Sequence, residues 1–193
     1  MRILVGILVG GRATRFGGIA KGLLPAPDSG EPLVGRLARL CREAVGAEVV
    51  LVGRAASYEA LGLPLLEDEP SGIGPLGGLS SLVSEAMHRG SAAIAVAGDL
   101  PYVTSELVAR VAAFAPEAAA VAPRPGGTWQ PLFARYDPGP CLPVIQAALA
   151  DGVFKARAVL ERLGDRAVEL ALDSAEASLL VDWDSPEDVS RRR

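Results

Sequence analysis

The sequence predicts a Rossmann-like, three-layer α/β/α fold around a mostly parallel central sheet. Short apolar runs of strand length alternate with longer segments of helical period, the pattern of a parallel sheet with helices on both faces. Half of the residues are hydrophobic but only 5% are aromatic, so the core is built from Ala, Leu and Val, which suits buried strands covered by helices. The first strand also empties into a glycine-rich loop, and in such sheets ligands bind beyond the carboxyl ends of the strands. With 193 residues and no internal repeat or low-complexity linker, the chain reads as one domain, 1–193.

Ile3 to Val9 is an apolar, buried strand, and its loop holds Gly10, Gly11, Gly17 and Gly18. Glu31-Pro32 opens a helix through about Val45, with Leu33, Leu37 and Leu40 on one face. Glu48 to Val52 is a β-branched strand, Ser57 to Leu61 a helical turn, and Leu63 to Glu67 another strand. The breaker-rich run from Glu69 to Gly74 precedes a helix begun by Pro75 and reaching about Arg89. Ala92 to Ala97 is a fully apolar strand ending at Gly98-Asp99, and Thr104 caps a helix to about Phe114. Ala118 to Ala122 is strand-like, Pro123 to Gly127 a turn, and Trp129 to Tyr136 a strand. Helices follow at Cys141 to Ala150 and Ala156 to Leu163, then short strands at Ala167 to Leu172 and Leu179 to Val181. Ser185-Pro186 caps a last helix. The loops after Val9, Leu66, Ala97 and Val181 should converge on one cleft.

A net charge of −4 argues against general nucleic-acid binding, and Arg191 to Arg193 read as a solvated end. Cys41 and Cys141 form no CxxC pair, and a metal site would need more ligands; they read as reduced helix-face thiols. The lone His88 stands near a helix end, where a capping or exposed role outweighs catalysis. The apolar N-terminus is too short for a membrane span and lacks a cleavage region, so no membrane partner and a cytoplasmic location are expected.

The chemistry concentrates in the first loop, GGRATRFGGIAK, where Arg12, Arg15 and Lys21 sit among the glycines and no acid occurs before Asp28. Glycines let backbone N–H groups approach a polyphosphate, and the cations balance its charge. The spacing is neither a P-loop nor a GxGxxG dinucleotide fingerprint. Lys21 and Lys155 are the two lysines of an arginine-rich chain, so a compact ammonium is wanted in the loop. A solvated glycine turn is the plainer alternative, and the phosphate reading is preferred. Asp99 follows an apolar strand directly and either caps the next loop or, beside the cationic loop, holds Mg²⁺ with substrate phosphates. Asp182 and Asp184 flank Trp183; on a continued strand both carboxylates share a face, whereas Asp184-Ser185-Pro186 also reads as a helix start. Asp68 ends a strand and could accept two adjacent guanine donors, or be a surface acid. Gly74-Pro75-Leu76-Gly77-Gly78 lets a ligand approach a helix start, or lets that helix pack tightly on the sheet.

Leu8-Val9-Gly10-Gly11 with Arg15, Gly17, Gly18 and Lys21 resembles the LAGGxxxRxGGxxKxL signature of the molybdenum cofactor guanylyltransferases, the MobA type within the nucleotidyltransferase superfamily. Gly74 to Gly78 resembles the family's GPLAG, and Gly98-Asp99-Leu100-Pro101 its strand-end CD-x-P. Gln130-Pro131-Leu132 resembles an acceptor-side segment, and Asp182 to Glu187 the NxNTPEE near the C-terminus, with Asp where the family usually has Asn. The resemblance implies transfer of GMP from GTP to the terminal phosphate of molybdenum-molybdopterin, with release of pyrophosphate. It implies Arg15, Lys21 and Asp99 as catalytic residues and Mg²⁺ as cofactor. The amides of Gly10 and Gly11 with Arg15 would hold the β- and γ-phosphates, and Lys21 the α-phosphoryl. Asp99 and Asp184 would hold the metal, and the Leu8-Val9 backbone with Asp68 would read guanine. The partners implied are GTP, a molybdopterin-type acceptor and contacts with cofactor-synthesis proteins. A cytidylyltransferase for the same cofactor, a sugar-phosphate nucleotidyltransferase and a non-catalytic nucleotide-binding adaptor are the alternatives. The adaptor leaves Asp99 with Lys21 without a purpose.

Overall fold

In the computed structural model, which describes residues 2–10, 20–53, 56–68, 72–183 and 185–190, seven strands form one sheet. The strands are β1 (Ile3–Leu8), β2 (Glu48–Val52), β3 (Leu65–Leu66), β4 (Ala92–Ala97), β5 (Ala120–Ala122), β6 (Phe133–Tyr136) and β7 (Ala167–Glu169). Their order across the sheet is β3-β2-β1-β4-β6-β5-β7. Every pairing is parallel except those of β6, which runs against both β4 and β5. The expected mostly parallel α/β/α architecture is therefore found, with one reversed strand.

Alternation along the strands sorts the core into two layers. Val5, Ile7, Val49, Leu51, Ile94 and Val96 face one side, where α1 (Leu33–Val45) and α3 (Ser105–Ala113) cover them. Leu4, Val50, Val52, Ala93 and Ala95 face the other, under α2 (Pro75–His88), α4 (Pro138–Ala150) and α5 (Arg157–Leu163). Small residues let α2 sit close: a Cβ on Gly6 would lie 2.6 Å from the Leu82 methyls. Gly78 on the helix packs the same way, its missing Cβ 3.2 Å from Leu8 and Val52 side chains. Tight helix–sheet packing thus accounts for Gly78. No described helix is long and apolar enough to cross a membrane.

Several elements differ from expectation, each for a local reason. β3 is two residues long because Pro64 has no N–H to pair, although its carbonyl accepts from the Leu51 amide at 2.8 Å. β6 begins at Phe133, not Trp129, because Pro131 interrupts pairing and Phe133 closes a turn onto the Gln130 carbonyl. α4 starts at Pro138, three residues before Cys141, because Asp137 caps it by accepting from the Gly139 amide. Leu179 to Val181 is no strand. A short helix α6 (Ser174–Ala177) with an Asp173–Glu176 capping box runs into a 3₁₀ turn over Ser178–Leu180. The last helix, α7 (Pro186–Ser190), begins as expected, with Ser185 donating its amide and hydroxyl to Asp188 Oδ2.

Cys41 and Cys141 are both buried, on α1 and α4, in the core layers on opposite faces of the sheet. Burial pushes each thiol up to about 12. Native protein should therefore resist thiol-labelling reagents at pH 8.5 until it unfolds; stoichiometric labelling of folded protein would contradict the burial. The folded state keeps protons that an unfolded chain releases near the ordinary 9.0, so stability should be full below that pH and decline from 9.0 towards about 12. Gly53, at φ 114°, has its missing Cβ 2.4 Å from the Val9 carbonyl oxygen. Gly53→Ala should cost about 2 kcal/mol or more in denaturant unfolding, from left-handed strain plus a backbone clash.

Candidate active site

The carboxyl ends of four neighbouring strands are joined by backbone hydrogen bonds that continue past the strands themselves. The Gly53 amide donates to the Leu66 carbonyl at 3.0 Å, Val9 to Val52 at 2.9 Å, and Gly98 to Leu8 at 3.0 Å. At the end of this row the Trp183 amide donates to the Asp99 carbonyl at 3.1 Å. These contacts bring the described chain ends at Val9, Leu66, Gly98-Asp99 and Trp183 to one edge; most of the loop after Val9 and part of the loop after Leu66 lie outside the described residues.

Lys21 and Asp99 meet at this edge, 78 residues apart in sequence, with Nζ 3.3 Å from Oδ2. Each side chain is 27% exposed, so the pair is open enough for a ligand to reach. A partly exposed pair of this kind contributes about 1 kcal/mol at most, which is little reason for a fold to keep it. Lys21 opens a 3₁₀ turn, Lys21–Leu23, whose middle residue, Gly22, is buried. A Cβ there would collide with Val34 at 2.4 Å and with the Tyr58 hydroxyl at 2.9 Å. Tyr58 is a buried phenol on the turn after β2; burial raises its pKa, a hydrogen bond from the Gly22 backbone lowers it, and the Asp99 charge raises it. The tyrosine therefore supports the Lys21 turn from beneath.

The surrounding frame is tied by a buried arginine. Arg36 on α1 donates from Nε to both carboxylate oxygens of Asp28, at 2.8 and 2.7 Å, and from Nη1 to the Val103 carbonyl at 3.0 Å. The guanidinium holds the Asp28 carboxyl below its usual range. One side chain thus joins the loop after Lys21 to the loop after Asp99. Trp183, 2% exposed and edge-on to Tyr102, anchors the C-terminal segment against the latter loop.

The other expected site residues fall as follows. Gly10 is exposed beyond β1, with nothing within 4 Å of a Cβ built on it. The Leu8 carbonyl and the Val9 amide are already used in the row of strand-end hydrogen bonds. Asp68 lies just past β3 on the same edge, and its Oδ2 accepts from the Gly72 amide at 3.3 Å. Gly11, Arg12, Arg15, Gly17 and Gly18, and Asp184, lie outside the described residues. Among the described residues no cluster of three or more His, Cys, Asp or Glu could hold a metal by itself. His88 is the exposed last residue of α2. Tyr58 and Arg36 were not singled out from sequence; the available signal was a polar side chain within a few residues of a strand or loop that ends at the site edge.

Residues 5–167 match the MobA-like NTP transferase domain. The chain is 34% identical over 186 residues to a protein named molybdenum cofactor guanylyltransferase from Pseudomonas putida, covering 94% of this chain and 92% of that one. Among solved structures it resembles molybdopterin-guanine dinucleotide biosynthesis protein A from Archaeoglobus fulgidus, with a TM-score of 0.73, 21% identity and coverage of 97% and 95%. It also resembles 2-C-methyl-D-erythritol 4-phosphate cytidylyltransferase from Thermus thermophilus, with a TM-score of 0.66, 15% identity and coverage of 98% and 95%. These two likenesses are of fold. The domain match and the extent of the Pseudomonas relationship place the chain in the MobA-like NTP transferase family, and so among the nucleotidyltransferases.

Proposed function

We propose that the protein transfers GMP from GTP to the terminal phosphate of a molybdenum-loaded molybdopterin, releasing pyrophosphate. The observation that carries this reading is the Lys21–Asp99 pair at the carboxyl edge of β1 and β4, with Lys21 closing a glycine-rich, cationic stretch of the sequence. The attacking atom is a phosphate oxygen of the acceptor, so the protein supplies no nucleophile. Its buried thiols are unsuited to that role, and its task is positioning and charge neutralisation.

In this reading the loop amides from Gly10 onward and Arg15 hold the outgoing β- and γ-phosphates. Lys21 swings from Asp99 to the α-phosphoryl as negative charge builds there. Backbone recognition of the base falls to Val9 and Gly10, because Leu8 gives its carbonyl and Val9 its amide to neighbouring strands. Asp68 keeps Oδ1 for guanine while Oδ2 holds Gly72. The donor set fits Mg²⁺, which is commonly held by one or two carboxylates together with substrate phosphates and waters. Asp99, with Asp184, would hold it, and the ion would neutralise phosphate charge. In this reading the enzyme works in the cytoplasm, in contact with cofactor-synthesis proteins.

Lys21→Ala and Asp99→Ala should each lower pyrophosphate release at least about 10²-fold, the scale of losing one charge-stabilising group. Unfolding midpoints should barely change, since the partly exposed pair adds at most about 1 kcal/mol. Near-normal turnover in either variant would sink the assignment. Base choice is read separately: with Mg²⁺ present, GTP should raise the melting temperature of the wild type, and CTP, ATP and UTP should not. Stabilisation by CTP instead would make the protein the sister cytidylyltransferase.

A further inference from the structure

Because β6 is reversed, β5 ends and β6 begins at the same edge as Asp99, and the loop joining them lies along that edge. The Ala97 amide donates to the Leu132 carbonyl at 2.7 Å, and the Gln130 amide to the Pro123 carbonyl at 3.0 Å. The buried Tyr136 hydroxyl donates to the Pro131 carbonyl at 2.7 Å and fixes the loop from below. The loop is therefore built, and built onto β4.

On it stands a stacked pair. The Arg124 guanidinium carbon lies 5.0 Å from the Trp129 ring centroid, and Arg124 Nε donates to the Gly127 carbonyl at 3.0 Å. Trp129 is half-buried against the core, whereas Arg124 is exposed. The Nη groups of Arg124 make no hydrogen bond among the described residues. A planar cation is thus held on an aromatic support with its donors unspent. β5 lies two strand spacings from β4, so the platform stands about 10 Å along the edge from Asp99.

We propose that Arg124 and Trp129 form the subsite for the acceptor's ring. A fused heteroaromatic ring stacks on the exposed face of the guanidinium, whose in-plane Nη groups stay available to oxygens beside the ring. A phosphate on a short arm of that ring then reaches Asp99 and Lys21, where it meets the nucleotide. The acceptor's chemical class, a pterin with a terminal phosphate, rests on the guanylyltransferase reading. The platform itself rests on the geometry alone.

Two measurements on the full chain test this. With molybdenum-loaded molybdopterin as acceptor, Arg124→Ala and Trp129→Ala should raise the acceptor KM at least tenfold and leave the GTP KM within twofold. Trp129→Tyr should restore part of the loss, whereas Arg124→Lys, a charge without a plane, should not. Acceptor KM values unchanged in both alanine variants would overturn the subsite and leave the guanylyltransferase reading standing. Independently of turnover, 6-hydroxymethylpterin monophosphate should quench Trp129 fluorescence. The quench should vanish in Trp129→Phe and weaken at least tenfold in Arg124→Ala, and inorganic phosphate alone should give none. If the pterin quenches but GTP transfer fails in the wild type, the ring subsite holds and the transfer reading falls. Absence of quenching, or quenching indifferent to Arg124, overturns the subsite.

Discussion

The carboxyl edge of the sheet depends on one row of backbone hydrogen bonds, from Leu66 through Gly53, Val52, Val9, Leu8 and Gly98, that keeps four chain segments in register after their strands have ended. β1 has a parallel neighbour on each side, so its loop and those of β2 and β4 leave the sheet together. A parallel sheet places its loops at one edge by topology alone. The further bonds past Val9 and Gly98 make the positions of Gly10 and Asp99 definite. Gly53 can take part because it lacks a Cβ where the Val9 carbonyl passes.

Within that frame the Lys21–Asp99 pair, partly exposed, adds little to stability. Its partners come from two different crossovers, and each is braced by a group that is buried. Tyr58 supports the Gly22 backbone beneath Lys21, and Arg36 ties the following loop, through Asp28, to Val103 beyond Asp99. Burying a guanidinium is expensive unless its hydrogen bonds are met. Asp28 and the Val103 carbonyl meet those of Arg36, so its cost is offset and the two loops are held at fixed separation. The opposite layer shows the same economy without charge: Gly6, Gly78, Ala93 and Ala95 bring α2 down on the sheet, and the rigidity comes from packing.

Much of this was legible in the sequence because it is local. Apolar runs gave β1, β2 and β4 within a residue or so, and Pro75 and Thr104 marked the starts of α2 and α3. Asp99 stood out because it ends a strand, and Lys21 because it is a lysine in an arginine-rich chain. What was not legible depends on partners far along the chain. The reversal of β6 is fixed by its pairing with β4 and β5, and no periodicity within Phe133 to Tyr136 encodes a direction. Arg36 reads as one more helix-surface cation until Asp28 and Val103 are placed around it. Leu179 to Val181 carries a strand's composition, but the Asp173–Glu176 capping box just upstream starts a helical turn that runs on to Leu180.

The reversed strand also divides the edge into two unlike halves, with Asp99 between them. On the side of β1, β2 and β3 the edge is made of strand ends in parallel, with backbone groups, glycines and Asp68 two residues past β3. Among the described residues that half offers backbone donors and acceptors at short range, which suits phosphates and the hydrogen-bonding edge of a base. On the side of β6 and β5 the reversal turns a crossover into a hairpin-like loop that carries Trp129 and Arg124 along the edge. That half offers a plane. A transferase that joins two phosphates needs a different grip on each substrate, and a sheet with every strand parallel would repeat the first kind of edge throughout. Reversing β6 is the least change that gives one sheet both.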